Sequence, residues 1–488
     1  MSLVPKCFPY EYPRLTQVEV WGALRELEKN RVVFIEAPTG VGKTSAVLSF
    51  LLERYGRVLW FCYTHRQQEV VLKEVENIIR KNNININVTV IRGIKNLCPI
   101  KKVRESDLPH QLCRYYTSVK GCDFTCPYRE QFLAALNSRI IVVTYNYLRQ
   151  PFINKILSLI DTTDVIVLDE AHHLINPPLI TIPLKWVKLA LEEVNHEILE
   201  KMIKREKIVE IKREKISLSK YEEIFWKNGV SYSLEIFSKV ILTQKLFYSK
   251  DTDSYLGIDD EFHFRLRKIL NKPSVVISAT LPKKVKVLFG SNVCINEIPR
   301  HEYKFYTLIY SKVKLPKKRW FNEATLAEIN KFIDIISNYF EKILVVFPSS
   351  DTLNIFYKHF ILPNNVIGIV AGSREAEGID IDAEICVVLG VPYDRVTRVT
   401  IETIRYFKKY TSKPKVLGYT IPAVIKAVQA AGRILRKPNR IVVFYDKRWI
   451  KLRNFYPKWL KNSVFKIISS KRKLIDELIY LSIICSLK

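Results

Sequence analysis

Short apolar, β-branched runs alternate with helical periodicity from residue 31 to residue 172. Val32–Ile35, Val58–Tyr63, Ile140–Thr144 and Val165–Leu168 are continuous runs without a polar residue at every second position. A strand of this kind is covered on both faces, as parallel strands between helical layers are. The pattern returns between Lys342 and Asp446, with Ile343–Phe347, Ile385–Leu389 and Ile441–Tyr445 as predicted strands. Two parallel-sheet α/β domains are the economical reading.

Two segments interrupt the first of these domains. One holds four cysteines, Cys98, Cys113, Cys122 and Cys126. The other spans residues 174–272 and is expected to be largely helical. EEVNHEILEKMIKREKIVEIKREK is its clearest part, with Glu and Lys spaced for i,i+4 pairs. The expected organisation is a first domain over 1–97, 127–173 and 273–300, a cysteine insert over 98–126, a helical insert over 174–272, and a second domain over 301–488. A chain of 488 residues has room for about three such bodies.

The C-terminal LIDELIYLSIICSLK carries Asp476 and Glu477 and is expected as an amphipathic helix on its own domain. No run of about 18 uncharged apolar residues occurs, so no membrane span is expected. MSLVPKCFPYEYPR lacks the apolar segment of a secretory signal. A cytoplasmic protein keeps its thiols reduced, so clustered cysteines suggest metal before disulfide.

Charge narrows the partners. The formal net charge is +29, which favours a polyanion. It is uneven: residues 301–488 hold 33 Lys/Arg against 16 Asp/Glu, whereas residues 174–272 hold 18 against 15. The C-terminal part is the expected phosphate-binding surface.

Two motifs carry chemistry of their own. The strand Val32–Ile35 feeds APTGVGKTS, a Gly-rich turn opening a helix, where backbone N–H groups cradle phosphates. Gly40 and Gly42 allow close approach, Lys43 would reach the β- and γ-phosphates of ATP, and Thr44 would ligate Mg²⁺. The strand Val165–Leu168 delivers Asp169-Glu170-Ala171-His172, with Asp169 expected on Mg²⁺ and Glu170 on the attacking water. Four thiolates at C-x14-C-x8-C-x3-C can hold a [4Fe–4S] cluster or one zinc, for which His110 could replace a cysteine; the paired C-x2-C knuckles that zinc ribbons favour are absent. Tyr115, Tyr116, Phe124, Arg114 and Lys120 lie in the same window and suit either base stacking or packing round a cluster.

RGIKNLCP around Cys98 and CPY from Cys126 resemble the XPD-like iron–sulfur helicases of superfamily 2, the group that includes the DinG proteins. Ala37, in place of the first consensus glycine, is common in that superfamily. Gln429-Ala-Ala-Gly432-Arg433-Ile-Leu-Arg436 resembles the helicase motif QxxGRxxR, which makes Arg433 and Arg436 arginine-finger candidates and puts Gln429 at the nucleotide. Glu377-Gly378-Ile379-Asp380 matches the family's EGID, with Asp380 at the interdomain cleft, and Gly390-Val391-Pro392-Tyr393 resembles its G-L-P-Y. Arg14 and Gln17 resemble its nucleotide-side R-x-x-Q; a helix-start pair is the equal alternative.

Through the resemblance, Thr64, His65 and Arg66 after the Val58 strand, Arg92 and Lys95 before Cys98, and Tyr145, Asn146 and Tyr147 become candidate nucleic-acid contacts, suited to phosphate contacts and base stacking. Ser278-Ala279-Thr280 would couple the two sheets, and His172 would link ATP state to the nucleic-acid side, with His173 incidental. The resemblance implies two RecA-like motor domains with an iron–sulfur insert and a helical arch. It implies a monomeric motor that uses ATP, Mg²⁺ and a structural [4Fe–4S] cluster to move 5′→3′ on single-stranded DNA and tailed duplexes, with repair or replication proteins as candidate partners. An RNA or RNA–DNA hybrid helicase and a nucleic-acid-binding scaffold without turnover are the alternatives.

Overall fold

Every apolar run named above is a strand in the computed structural model, which describes residues 4–122, 126–315, 322–373 and 381–486. The first domain contributes β1 (Val32–Glu36), β2 (Val58–Cys62), β3 (Val88–Val90), β4 (Ile140–Thr144) and β5 (Val165–Asp169). The second insert contributes β6 (Leu179–Pro183), β7 (Ile208–Glu210), β8 (Lys245–Ser249) and β9 (Ser254–Ile258). The chain returns with β10 (Ser274–Ser278) and β11 (Val293–Glu297). The first sheet runs β11-β1-β10-β5-β2-β4-β3, and all its pairs are parallel. Val32 and Phe34 enter the core on one face while Val33 and Ile35 enter the core on the other. That two-sided burial is why the run has no polar alternation.

The second domain repeats the plan with β12 (Phe305–Tyr310), β13 (Ile343–Phe347), β14 (Val366–Val370), β15 (Ile385–Leu389), β16 (Arg440–Tyr445) and β17 (Val464–Ile468). Its order is β14-β13-β15-β16-β12-β17, again parallel throughout. The C-terminal helix Lys471–Ser486 buries Leu474, Leu478 and Leu481 on this domain and leaves Tyr480 and Ile483 exposed. No helix among the described residues is long and apolar enough to cross a membrane.

The second insert departs from its expected helical character. Four helices form, at Leu184–Glu193, Glu197–Ile203, Ser219–Asn228 and Tyr232–Val240, but β6, β9, β8 and β7 make a four-stranded antiparallel sheet beside them. The Glu/Lys-rich stretch is cut after Ile203, although the Glu197–Lys201 i,i+4 pair does form. An i,i+4 pair contributes only about 0.2–0.5 kcal/mol. Burying Val209 and Ile211 in the insert's core contributes roughly 1.5–3 kcal/mol each, so tertiary burial decides for a strand. The helix Phe262–Ile269, assigned to the insert by sequence, instead packs Phe262, Leu266 and Ile269 into the first domain's core. That core also takes in Tyr406, Phe407, Leu417, Ile421 and Ile425, so the two sheet domains share an apolar contact.

Candidate active site

The parallel register brings the C-terminal ends of β1, β10 and β5 side by side. Glu36 pairs with Ser278, and Asp169 pairs with Ile277. In open α/β sheets this is the edge at which ligands bind. The turn after β1 is left-handed at Gly40 (φ 78°) and Gly42 (φ 74°), the region that favours glycine. At Gly42 an added Cβ would also lie 2.5 Å from Gln17 Nε2. The helix Lys43–Arg54 starts there, with Lys43 and Thr44 in its first turn. Lys43 Nζ donates to the carbonyls of Ala37 (3.2 Å) and Pro38 (2.8 Å), folding over the turn. Burial lowers its pKa. Glu170 and Asp169 oppose that shift, and Arg436 and Arg433 add to it, so all four charges lie within its field.

Glu170 adopts a left-handed conformation (φ 52°), and its N–H donates to Asp169 Oδ1 at 2.9 Å. Ser278 Oγ donates to Glu170 Oε2 at 2.9 Å. His172 Nδ1 lies 3.2 Å from the same oxygen and 2.8 Å from Ser278 Oγ. Burial and the Glu170 charge push the Asp169 carboxyl up. Burial works in the same sense on Glu170, but hydrogen bonding to His172, the Lys43 charge and the Ser278 hydroxyl outweigh it and hold that carboxyl down. The two carboxyls are therefore pushed in opposite directions. His173, expected to be incidental, stacks on Tyr63 with ring centroids 3.5 Å apart and planes 10° apart, joining this turn to the end of β2.

The second domain closes over the same edge. Thr39 Oγ1 donates to the Gly432 carbonyl (3.2 Å), and a Cβ on Gly40 would meet Arg436 Cγ at 3.2 Å. The QxxGRxxR segment thus lies directly on the phosphate-type turn. Gln429, expected at the nucleotide, is buried and donates to Thr280 Oγ1 at 2.7 Å, while Trp459 Nε1 donates to the Ala279 carbonyl at 2.9 Å. Ser278-Ala279-Thr280 therefore does join the two sheets. Arg14 and Gln17 form the helix-start pair and also reach the glycine turn. Gln17 Oε1 accepts from the Arg14 N–H at a helix start, while Arg14 Nη1 reaches the Gly40 carbonyl (2.5 Å) and Gln17 Nε2 the Gly42 carbonyl (3.3 Å). Asp380 and the rest of Glu377–Asp380 lie outside the described residues.

Sequence reasoning missed Glu36. It is 1% exposed, and its carboxyl accepts the N–H of Leu281 (2.8 Å) and, across the domain boundary, that of Lys458 (3.1 Å). Burial pushes it up to about 8, against the two backbone hydrogen bonds. A glutamate closing an otherwise apolar strand was the available signal.

The four cysteines of the first insert meet in one small cluster with Ile94, Val103 and Tyr128. Cys98 and Cys126 are buried; Cys113 and Cys122 are half-buried. Burial first, then the neighbouring thiols Cys98 and Cys126, push the Cys113 and Cys122 thiols up. Among the described residues no group of three or more His, Cys, Asp or Glu stands ready at metal-binding geometry. The donor type fits a thiolate-held centre, since four cysteines from separate segments share this one small apolar cluster. His110 turns away to Lys155 (3.2 Å) and the Phe152 ring, so it is not part of this set. Phe124 lies outside the described residues. Tyr115 packs against Gly229 of the second insert, and Arg114 lies over the rings of Phe225 and Trp226, so both serve the contact between inserts.

The nucleic-acid candidates divide. Thr64 caps the helix His65–Asn82 by accepting the Gln67 N–H, and His65, Arg66, Lys95 and Asn146 are exposed along one strand-end region. Arg92 is half-buried, and its guanidinium lies 4.0 Å from Glu69. Tyr145 and Tyr147 correct the expectation of base stacking. Both are buried in the first domain's core, with the Tyr145 hydroxyl on the Asp169 carbonyl and that of Tyr147 on the Arg92 carbonyl at 3.3 Å. Their 3₁₀ turn, Tyr145–Leu148, directs the rings inward, and only Asn146 faces out.

Comparisons agree with this architecture. Residues 11–211 match the family described as type III restriction enzyme, res subunit, and residues 362–463 match the helicase C-terminal domain. The ATP-dependent DNA helicase XPD of Sulfolobus acidocaldarius is 23% identical over 543 residues, covering 89% of this chain and 95% of the relative. A solved XPD helicase shares the fold with a TM-score of 0.69 at 20% identity, over 94% of this chain and 100% of its own. Xpd4 of S. tokodaii does so with a TM-score of 0.61 at 18% identity, over 93% and 100%.

Proposed function

We propose that this chain, an XPD-like superfamily 2 helicase and so an ATP-dependent enzyme, moves 5′→3′ along single-stranded DNA and parts duplexes that carry a 5′ tail. The observation that carries the reading is the meeting of both domains at the glycine turn before Lys43, where Thr39 Oγ1 donates to the Gly432 carbonyl and Arg436 packs against Gly40.

In this reading the phosphates of ATP replace the Ala37 and Pro38 carbonyls as the partners of Lys43. Thr44 and Asp169 are oxygen donors of the kind a hard cation takes and would hold Mg²⁺, which neutralises charge on the phosphates. Glu170, kept ionised by its neighbours, orients the attacking water. Arg433 and Arg436 meet the charge that develops on the γ-phosphoryl group, which positions catalysis at the domain boundary. Thr280–Gln429, Ala279–Trp459 and Glu36–Lys458 carry opening and closing from one sheet to the other.

Cys98, Cys113, Cys122 and Cys126 would hold a [4Fe–4S] cluster whose part is structural, cross-linking four turns that otherwise share only a small apolar core. The strand is gripped through its phosphates by the basic surface, with His65, Arg66, Lys95 and Asn146 on the first domain's side.

Unwinding assays with 5′-tailed and 3′-tailed DNA test the reading. Unwinding of the 5′-tailed substrate alone supports it, and unwinding of the 3′-tailed substrate, alone or equally, overturns the direction. ATPase stimulated by RNA and not by DNA would replace the DNA reading with the RNA one.

A further inference from the structure

Behind the Asp169-Glu170 turn lies a polar chain that the catalytic scheme does not use. His263, on the helix Phe262–Ile269, is fully buried, with both ring nitrogens engaged. Nε2 lies 2.9 Å from the Leu174 carbonyl and Nδ1 lies 2.6 Å from the Tyr406 hydroxyl. A carbonyl only accepts, so Nε2 carries the proton and Nδ1 is the acceptor. The Tyr406 hydroxyl must then donate to Nδ1. Its oxygen is left to accept from the His263 N–H (3.4 Å) and from the Tyr410 hydroxyl (3.3 Å). Burial drops the His263 ring to about 3, so the ring is neutral and the tautomer unique at working pH.

The two ends of this chain belong to different parts of the motor. Leu174 closes the 3₁₀ turn Ala171–Leu174, whose His172 contacts Glu170 and Ser278. Tyr406 and Tyr410 belong to the second domain. They lie beside Phe407, Leu417, Ile421 and Ile425, and the last two open the helix Ile421–Ala431. The other end of that helix carries Gln429, and its C-terminal continuation carries Gly432 and Arg436 on the phosphate-type turn. The second domain is thus held by the first at the nucleotide edge, through Gln429 and Gly432, and at His263, through Tyr406.

We propose that His263 is a positioning residue which, through Tyr406, ties the turn bearing Asp169 and Glu170 to the second domain, so that movement of that domain on nucleic acid resets the hydrolytic pair. The chain is suited to this task. His263 and Tyr406 are both buried from solvent, so a displaced Tyr406 leaves a buried acceptor unpaired. The inference rests on the helicase reading above.

Tyr406→Phe deletes one oxygen and keeps the apolar wall. Stimulation of ATPase kcat by single-stranded DNA should fall about five- to tenfold, with KM for ATP and the DNA-free rate held within about twofold. His263→Asn keeps an acceptor near the Nδ1 position, loses the Leu174 bond and should show the same loss. The double variant should be no worse than either single one, because the two act in series. An unchanged stimulation ratio in Tyr406→Phe, or an equal fall in DNA-free and DNA-stimulated rates, overturns the proposal. If no nucleic acid stimulates the wild-type ATPase, the helicase reading fails by itself. The tie is then decided by energy transfer between dyes on the two sheet domains, titrated with a non-hydrolysable ATP analogue. A midpoint shifted about five- to tenfold in Tyr406→Phe upholds it, and an unshifted midpoint overturns it.

Discussion

Replacing Glu36 by glutamine should remove a specific part of the protein's pH-dependent stability. The carboxyl of an unfolded glutamate titrates near 4.5, whereas burial pushes that of Glu36 up to about 8. The folded protein therefore keeps a proton that the unfolded chain releases. The stability this confers is complete below the unfolded value and is lost as pH rises through the folded one. Integrating one linked proton between about pH 6 and about pH 9 gives a loss of about 3 kcal/mol, taken without a screening discount because the group is 1% exposed. Glutamine matches the acid in size and does not titrate; Leu281 and Lys458 donate to different carboxyl oxygens, so its single oxygen keeps one of the two bonds, and that loss is the same at both pH values. Guanidinium unfolding of nucleotide-free wild type and Glu36→Gln at the two pH values supplies the test. The difference of differences cancels every other titration, provided the denaturant slopes agree. The variant should gain about 3 kcal/mol on wild type between the lower and the higher pH. A gap that stays within about 0.5 kcal/mol, or that widens in favour of wild type as pH rises, would mean that Leu281, Lys458 and Lys461 stabilise an ionised Glu36, and would refute the reasoning.

Three further outcomes follow from the site. Glu170→Gln should bind ATP normally yet slow single-turnover hydrolysis by about 10²–10⁴, and normal turnover would assign the water to another group. Arg433→Ala should slow hydrolysis on the order of 10³-fold with single-stranded DNA affinity kept; a matching loss of DNA affinity by filter binding would instead make it part of a basic phosphate-binding face. Anaerobically purified protein should hold about four irons per chain and absorb broadly in the visible, and Cys113→Ser should lose both while keeping nucleotide binding; stoichiometric zinc would remove the iron–sulfur assignment.

Much of this molecule was legible in one dimension because its information is local. A parallel strand buried on both faces is a continuous apolar run, so β1, β2, β4 and β5 could be named before their order in the sheet was known. The turn after β1 needs left-handed backbone at Gly40 and Gly42, and glycine at those places is visible as a motif. Four cysteines in one window were visible as a group, and they lie in one small apolar cluster. What the sequence could not determine depended on partners far along the chain. Ile208–Glu210 became a strand because Val209 and Ile211 had a core to enter, which helical Glu/Lys spacing does not reveal. Tyr145 and Tyr147 looked like a stacking surface until a 3₁₀ turn directed their rings inward. Gln429 met Thr280, Glu36 met Lys458, and His263 met Tyr406 across separations of 149, 422 and 143 residues. A buried polar group needs a partner, but the fold alone decides which residue supplies it, because only tertiary packing brings distant backbone and side-chain atoms within hydrogen-bonding distance.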